Sequence, residues 1–149
     1  MPFKILVINP GSTSTKVALF ENESLQFETK IEHPLEQLKQ YLNLWDQFDF
    51  RKRAIISLLD KNQIGLHQLS AVVGRGGLLK SIPGGTYLVN ETMVEDARKG
   101  VQGQHAANLG CALDSAKPFR RATTQRKKSR WRPCGRPEVA SDVISGYYV

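Results

Sequence analysis

Cysteine, histidine and long apolar runs are all scarce in this 149-residue chain, and each scarcity closes off a class of function. Cys111 and Cys134 are the only cysteines, 23 positions apart with no CxxC pair and no clustered histidine. That spacing argues against a zinc site or a disulfide framework and for two reduced thiols. Its first apolar stretch, Ile5-Leu6-Val7-Ile8, follows Met1-Pro2-Phe3-Lys4 and is too short for a secretory core or a membrane span. A soluble, cytoplasmic protein is expected. No internal repeat is visible, and the GxxxxGK[ST] spacing of a Walker A loop is missing.

Acidic residues run short in one place only. Residues 1–113 carry 12 Lys/Arg against 11 Asp/Glu, whereas residues 114–149 carry nine against three. The net charge of +7 therefore belongs almost wholly to the tail and says nothing about what the first 113 residues bind. The length suits one domain with its own core.

The periodicity predicts an α/β fold. Phe3 to Ile8 reads as a buried strand, Val17 to Phe20 as a second, and Leu25 to Ile31 as a third, half-buried on Leu25, Phe27, Thr29 and Ile31. Short links make these an antiparallel meander. From Pro34 to about Leu59 the spacing is helical, with Leu35, Leu38, Tyr41, Leu42 and Trp45 on one face and Ile55, Leu58 and Leu59 on another; a break near Asp46–Phe50 predicts two helices. Trp45 and Tyr41 read as core, His33 and His67 as surface. Leu69 to Val73 predicts a short strand before Gly74-Arg75-Gly76-Gly77, and a loop with Pro83-Gly84-Gly85 comes after it. Asn90 is a predicted N-cap, with Arg98, Lys99 and Gly100 closing that helix. Another helix begins near Gln104 and is broken at Asp114–Pro118, beyond which no period survives.

The polar stretch Asn9–Lys16 lies between two apolar runs and is longer than a minimal hairpin needs. Gly11 lets backbone approach a ligand, successive amides can form an anion-binding concavity, and hydroxyls with Lys16 add donors and charge. A phosphate-holding loop is one reading and an ordinary Ser/Thr-rich turn the other.

Three blocks add a resemblance. Ile5-Leu6-Val7-Ile8-Asn9-Pro10-Gly11-Ser12-Thr13-Ser14-Thr15-Lys16 resembles the first phosphate motif of the acetate/butyrate kinase family, within the sugar kinase, Hsp70 and actin superfamily. Val72-Val73-Gly74-Arg75-Gly76-Gly77-Leu78-Leu79-Lys80-Ser81-Ile82-Pro83-Gly84-Gly85-Thr86-Tyr87 is similar to the butyrate kinase branch, and Gly100 to Gly110 to the segment where acetate kinases carry a His-and-Asn motif. The resemblance covers residues 3 to about 113. It implies a partial ribonuclease-H-like domain over residues 1–113, while the charge jump and loss of periodicity at Asp114 predict a basic, frameshifted or disordered tail at 114–149.

The resemblance also implies reversible transfer of the ATP γ-phosphoryl group to butyrate, giving butyryl phosphate and ADP. Asn9, Gly11, Ser12, Ser14 and Lys16 would hold the ATP phosphates, with Asn9 near the Mg²⁺. Arg75 would meet the carboxylate or acyl phosphate through its guanidinium fork, and His105 the transferring phosphoryl group. A solvated loop arginine and a capping or core histidine stand as the alternatives for these two. Family members continue into a second domain that closes over the nucleotide, so this chain alone is expected to be inactive. Acetate, propionate or a branched acid are rival substrates, a nucleic-acid-binding protein acting through the tail with Trp131 is the rival class, and a non-catalytic remnant or a homo-oligomer stays open.

Overall fold

The computed structural model describes residues 2–81 and 85–116. Strands β1 (Lys4–Pro10), β2 (Ser14–Glu21) and β3 (Ser24–Glu32) form the expected meander. After them come α1 (Leu35–Leu38), α2 (Phe48–Lys61), β4 (Ala71–Gly74), α3 (Glu91–Lys99) and α4 (Leu109–Ser115). The sheet order is β3-β2-β1-β4, with β1–β2 and β2–β3 antiparallel and β4 parallel to β1. This is the mixed α/β sheet with flanking helices that the sequence predicts.

Alternation decides which face is covered. Leu6, Ile8, Val17, Leu19 and Val72 point to one side and pack with Ile55 and Leu59 of α2 and Leu109 and Leu113 of α4. Each of these aliphatic side chains removes apolar surface worth roughly 1.5–3 kcal/mol when fully buried. A second, smaller cluster of Leu79, Tyr87, Met93, Ala97 and Cys111 joins α3 to the outer side of α4. Trp45 packs against both clusters, as core, with the Arg98 guanidinium 5.8 Å from its ring centroid.

Helix α3 has the predicted ends. Asn90 Oδ1 accepts from the Met93 amide at 2.9 Å, and Gly100 closes the helix at φ 62°.

Four expectations need correcting. Leu25 is exposed because a bulge opposite Leu19/Phe20 sets it against Phe20, on the opposite face from Phe27, Thr29 and Ile31; one extra residue in a period of two inverts the side. The first predicted helix is a single turn. Asn43 and Asp46 form a capping box, the Asn43 amide donating to Asp46 Oδ2 at 3.1 Å, and start a new 3-10 turn at Leu44–Gln47. Leu35 and Leu42 are consequently exposed, and α2 begins inside the segment taken as a break. His33 is buried, not at the surface, for a reason given below. Finally, the last helix starts not near Gln104 but at Leu109, after a 3-10 turn at Ala106–Asn108, and ends at Ser115 inside the predicted break. The Pro83-Gly84 part of the predicted loop and the tail from residue 117 lie outside the described residues.

Candidate functional site

Asn9–Lys16 is not an eight-residue loop. The β1–β2 ladder runs on through Asn9↔Lys16 and Pro10↔Thr15, so the connection is only Gly11, Ser12 and Thr13. The Gly11 amide donates to the Ser14 carbonyl at 2.7 Å and closes the turn. Asn9 and Lys16, as cross-strand partners, share the face turned away from the helices, and Lys16 is exposed there. Polar composition reads as a loop here, whereas Thr15 and Lys16 are β2 residues with their backbone tied up in ladder bonds.

The carbonyls of this turn all face protein. Arg51, at the end of the first turn of α2, donates from Nη1 to Gly11 O at 2.8 Å and to Ser14 O at 3.0 Å, and from Nη2 to Ser12 O at 3.0 Å. The His33 amide donates to Thr13 O at 2.8 Å. In a planar trans peptide the N–H points opposite to the preceding C=O. Ser12 and Thr13 amides therefore point away from Arg51, and among the described residues neither has a hydrogen-bond partner. Two adjacent outward donors beside exposed Ser12 and Thr13 hydroxyls make a concavity that suits an anion.

Arg51 has zero solvent exposure. Gln47 Oε1, one helical turn back, accepts from both Nε at 3.1 Å and Nη2 at 2.9 Å. Burial lowers its pKa to about 10, which leaves it charged at neutral pH. Nη1 also donates to Thr15 Oγ1 at 3.1 Å, and the same hydroxyl lies 2.8 Å from His33 Nε2. His33 shares that hydroxyl as donor or acceptor according to its tautomer. Its pKa is lowered to about 4, first by burial and then by Arg51, against a smaller opposing effect of Glu32. This network explains why His33 is inside.

Arg75 follows β4 directly, and its amide donates to Ile8 O at 2.8 Å, extending the parallel pairing by one residue. Its exposed side chain has no partner among the described residues and stands at the carboxyl ends of β1 and β4, where ligands of parallel sheets gather. His105 is exposed and caps the 3-10 turn Ala106–Asn108, its Nδ1 accepting from the Ala107 amide at 3.1 Å. Asn108 is fully buried: Oδ1 accepts from Leu78 N at 2.8 Å, while Nδ2 donates to Gly103 O at 2.9 Å and Ala97 O at 3.3 Å. It ties the 75–80 loop to α3 and α4 rather than facing a ligand.

Sequence reading missed Arg51, Gln47, Thr15 and His33. A signal for Arg51 existed: it falls on the stripe of Ile55 and Leu59 at i, i+4, i+8, a cation among core positions.

No helix among the described residues is long and apolar enough to cross a membrane. No protein-family model matches the chain. A probable butyrate kinase of Clostridium botulinum is 52% identical over 110 residues, which is 74% of this chain and 31% of that protein. Butyrate kinase 2 of Clostridium acetobutylicum is 53% identical over the same shares, and butyrate kinase 1 of that organism 51% identical over 108 residues. The solved PPX-GPPA enzyme of Aquifex aeolicus aligns with TM-score 0.47 and 13% identity, covering 78% of this chain and 50% of that one. This chain spans about a third of the length of the curated relatives it matches. Over those 110 residues it is homologous to the butyrate kinases and corresponds to an N-terminal portion of them.

Proposed function

We propose that this chain is the phosphate-handling portion of an ATP-dependent carboxylate kinase that forms butyryl phosphate and ADP from butyrate and ATP. The turn at Gly11–Thr13, with its carbonyls engaged inward and the Ser12 and Thr13 amides free among the described residues, carries this reading. Phosphoryl transfer needs positioned donors around the phosphate oxygens more than covalent help. Ser12, Ser14 and the turn amides bind the ATP phosphates, with Gly11 allowing close approach. Lys16 adds charge. The Arg75 fork, free of internal partners among the described residues, takes the carboxylate and then the acyl phosphate. His105 steadies the transferred group through Nε2, since Nδ1 serves the helix cap.

Among the described residues no group of three His, Cys, Asp or Glu side chains could hold a metal unaided. The carboxamide oxygen of Asn9 and the Ser12 and Ser14 hydroxyls fit a magnesium ion that arrives on the nucleotide. Bound there, the ion neutralises phosphate charge. Butyrate as acid rests on the names of the relatives, and the boundary at residue 113 on the charge step at Asp114.

The test is a chimera: residues 1–113 replace the matching N-terminal portion of butyrate kinase 2 of Clostridium acetobutylicum. Acyl phosphate is trapped with hydroxylamine. The chimera is expected to turn over butyrate, and Lys16→Ala or Arg75→Ala to lower turnover about 100-fold with little change in melting temperature. A folded but inactive chimera would overturn the reading.

A further inference from the structure

Among the described residues, Arg51 is a buried cation without an anion. Its five acceptors are all neutral: three turn carbonyls, the Thr15 hydroxyl and the Gln47 carboxamide. Among the described residues no carboxylate pairs with it. It also sits near the N-terminus of α2, the positive end of the helix dipole, where a cation is disfavoured. Neutral donors would satisfy the same carbonyls at a smaller desolvation cost. For stability alone the arrangement is a poor one. A positive charge on the carbonyl side of a turn does, however, polarise the peptides so that their N–H ends face outward with added positive potential.

We propose that Arg51 is the positioning residue of the phosphate turn, and that a phosphoryl group on the Ser12 and Thr13 amides is its missing counter-ion, reached through the turn peptides. The proposal rests on the phosphate-binding reading above and adds to it a residue that touches no ligand. Arg51 sets the orientation of the Gly11–Ser12 and Ser12–Thr13 peptides from behind. Gln47 sets Arg51 by holding both Nε and Nη2, and Thr15 with His33 holds the far end of the guanidinium. Lysine cannot replace this fork, because one ammonium cannot span carbonyls of three different residues and Gln47 together.

The experiment uses the whole 149-residue chain, labelled with ¹⁵N and titrated with inorganic triphosphate. Saturable shifts of the Ser12 and Thr13 amides are expected in the unaltered chain. The Arg51 Nε–H resonance should move in step with them, which a merely structural strut would not do. Arg51→Lys is expected to weaken binding about tenfold and Gln47→Met about threefold, with the Leu6–Ile8 ladder amides unmoved. Should Arg51→Lys fail to fold, Gln47→Met and the Nε–H resonance decide. Turn amides that shift while Nε–H stays still, or variants that bind like the unaltered chain, overturn the role of Arg51 alone. Turn amides that never shift overturn the phosphate reading, and this proposal falls with it.

Discussion

Gly74 and Gly110 meet backbone to backbone: a Cβ on Gly74 would lie 2.6 Å from the Gly110 carbonyl oxygen. One on Gly110 would overlap the carbonyl oxygen of Arg75. The end of β4 and the start of α4 thus touch with no side chain between them, and that contact sets where the Arg75 backbone leaves the sheet. Gly110→Ala is expected to destabilise the protein by about 1–3 kcal/mol, since backbone rather than a flexible side chain would have to yield. In the chimera it should also raise the KM for butyrate by displacing Arg75. Denaturant melts check the first effect and steady-state kinetics the second; unchanged values for both would refute the account.

Asn108 holds three segments at once through Leu78 N, Gly103 O and Ala97 O. Asn108→Ala leaves these buried groups without partners and is expected to cost about 2–4 kcal/mol. The same change should raise hydrogen exchange at Leu78 first, because that amide loses its acceptor. Protection of Leu78 equal to that in the unaltered chain would contradict it.

His33 ties stability to pH. Its pKa is about 4 folded and 6.5 when free of the fold, so between these values the unfolded chain binds more protons. Its contribution is therefore complete above pH 6.5 and is lost as pH falls from 6.5 toward 4. Groups facing it are Arg51 and Glu32, together with Thr15. The melting temperature should drop across this window, and His33→Gln should flatten the drop. An equal slope in the variant would show that other groups titrate instead.

Asp114 is a buried carboxylate on α4. Burial raises its pKa well above 3.8, against the Gly74 and Ser115 amides, which draw it down, and among the described residues neither of its oxygens has a hydrogen bond of good geometry. A raised carboxyl favours the fold when protonated, so its penalty is absent below pH 3.8 and grows as pH rises through the folded value. Asp114→Asn should stabilise the chain by about 1–3 kcal/mol at pH 7.5, with the gain shrinking toward pH 4. Chemical denaturation at both pH values checks this; a destabilised variant at pH 7.5 would sink it.

The meander, the α/β class, the caps of α3 and the kinase resemblance were all legible in the sequence, because each depends on residues near one another in the chain. Leu6 and Ile8 show their burial in the apolar composition of β1, with Ile5 and Val7 half-buried on its other face, and Asn90 and Gly100 mark helix ends through local hydrogen bonds and backbone conformation. Leu25 and Leu42 were misplaced for the complementary reason. A bulge and a capping box shift register by one step, and hydrophobic spacing alone does not register that step. The core of the candidate site was hidden more deeply. Arg51 is 40 positions from Gly11 and His33 is 18 from Thr15, and only packing α2 against the start of β2 joins them. Sequence by itself marked Asn9–Lys16 as a polar, turn-forming stretch between two strands. Tertiary structure decided which way that turn's peptides point, because their direction depends on a guanidinium delivered from a distant helix.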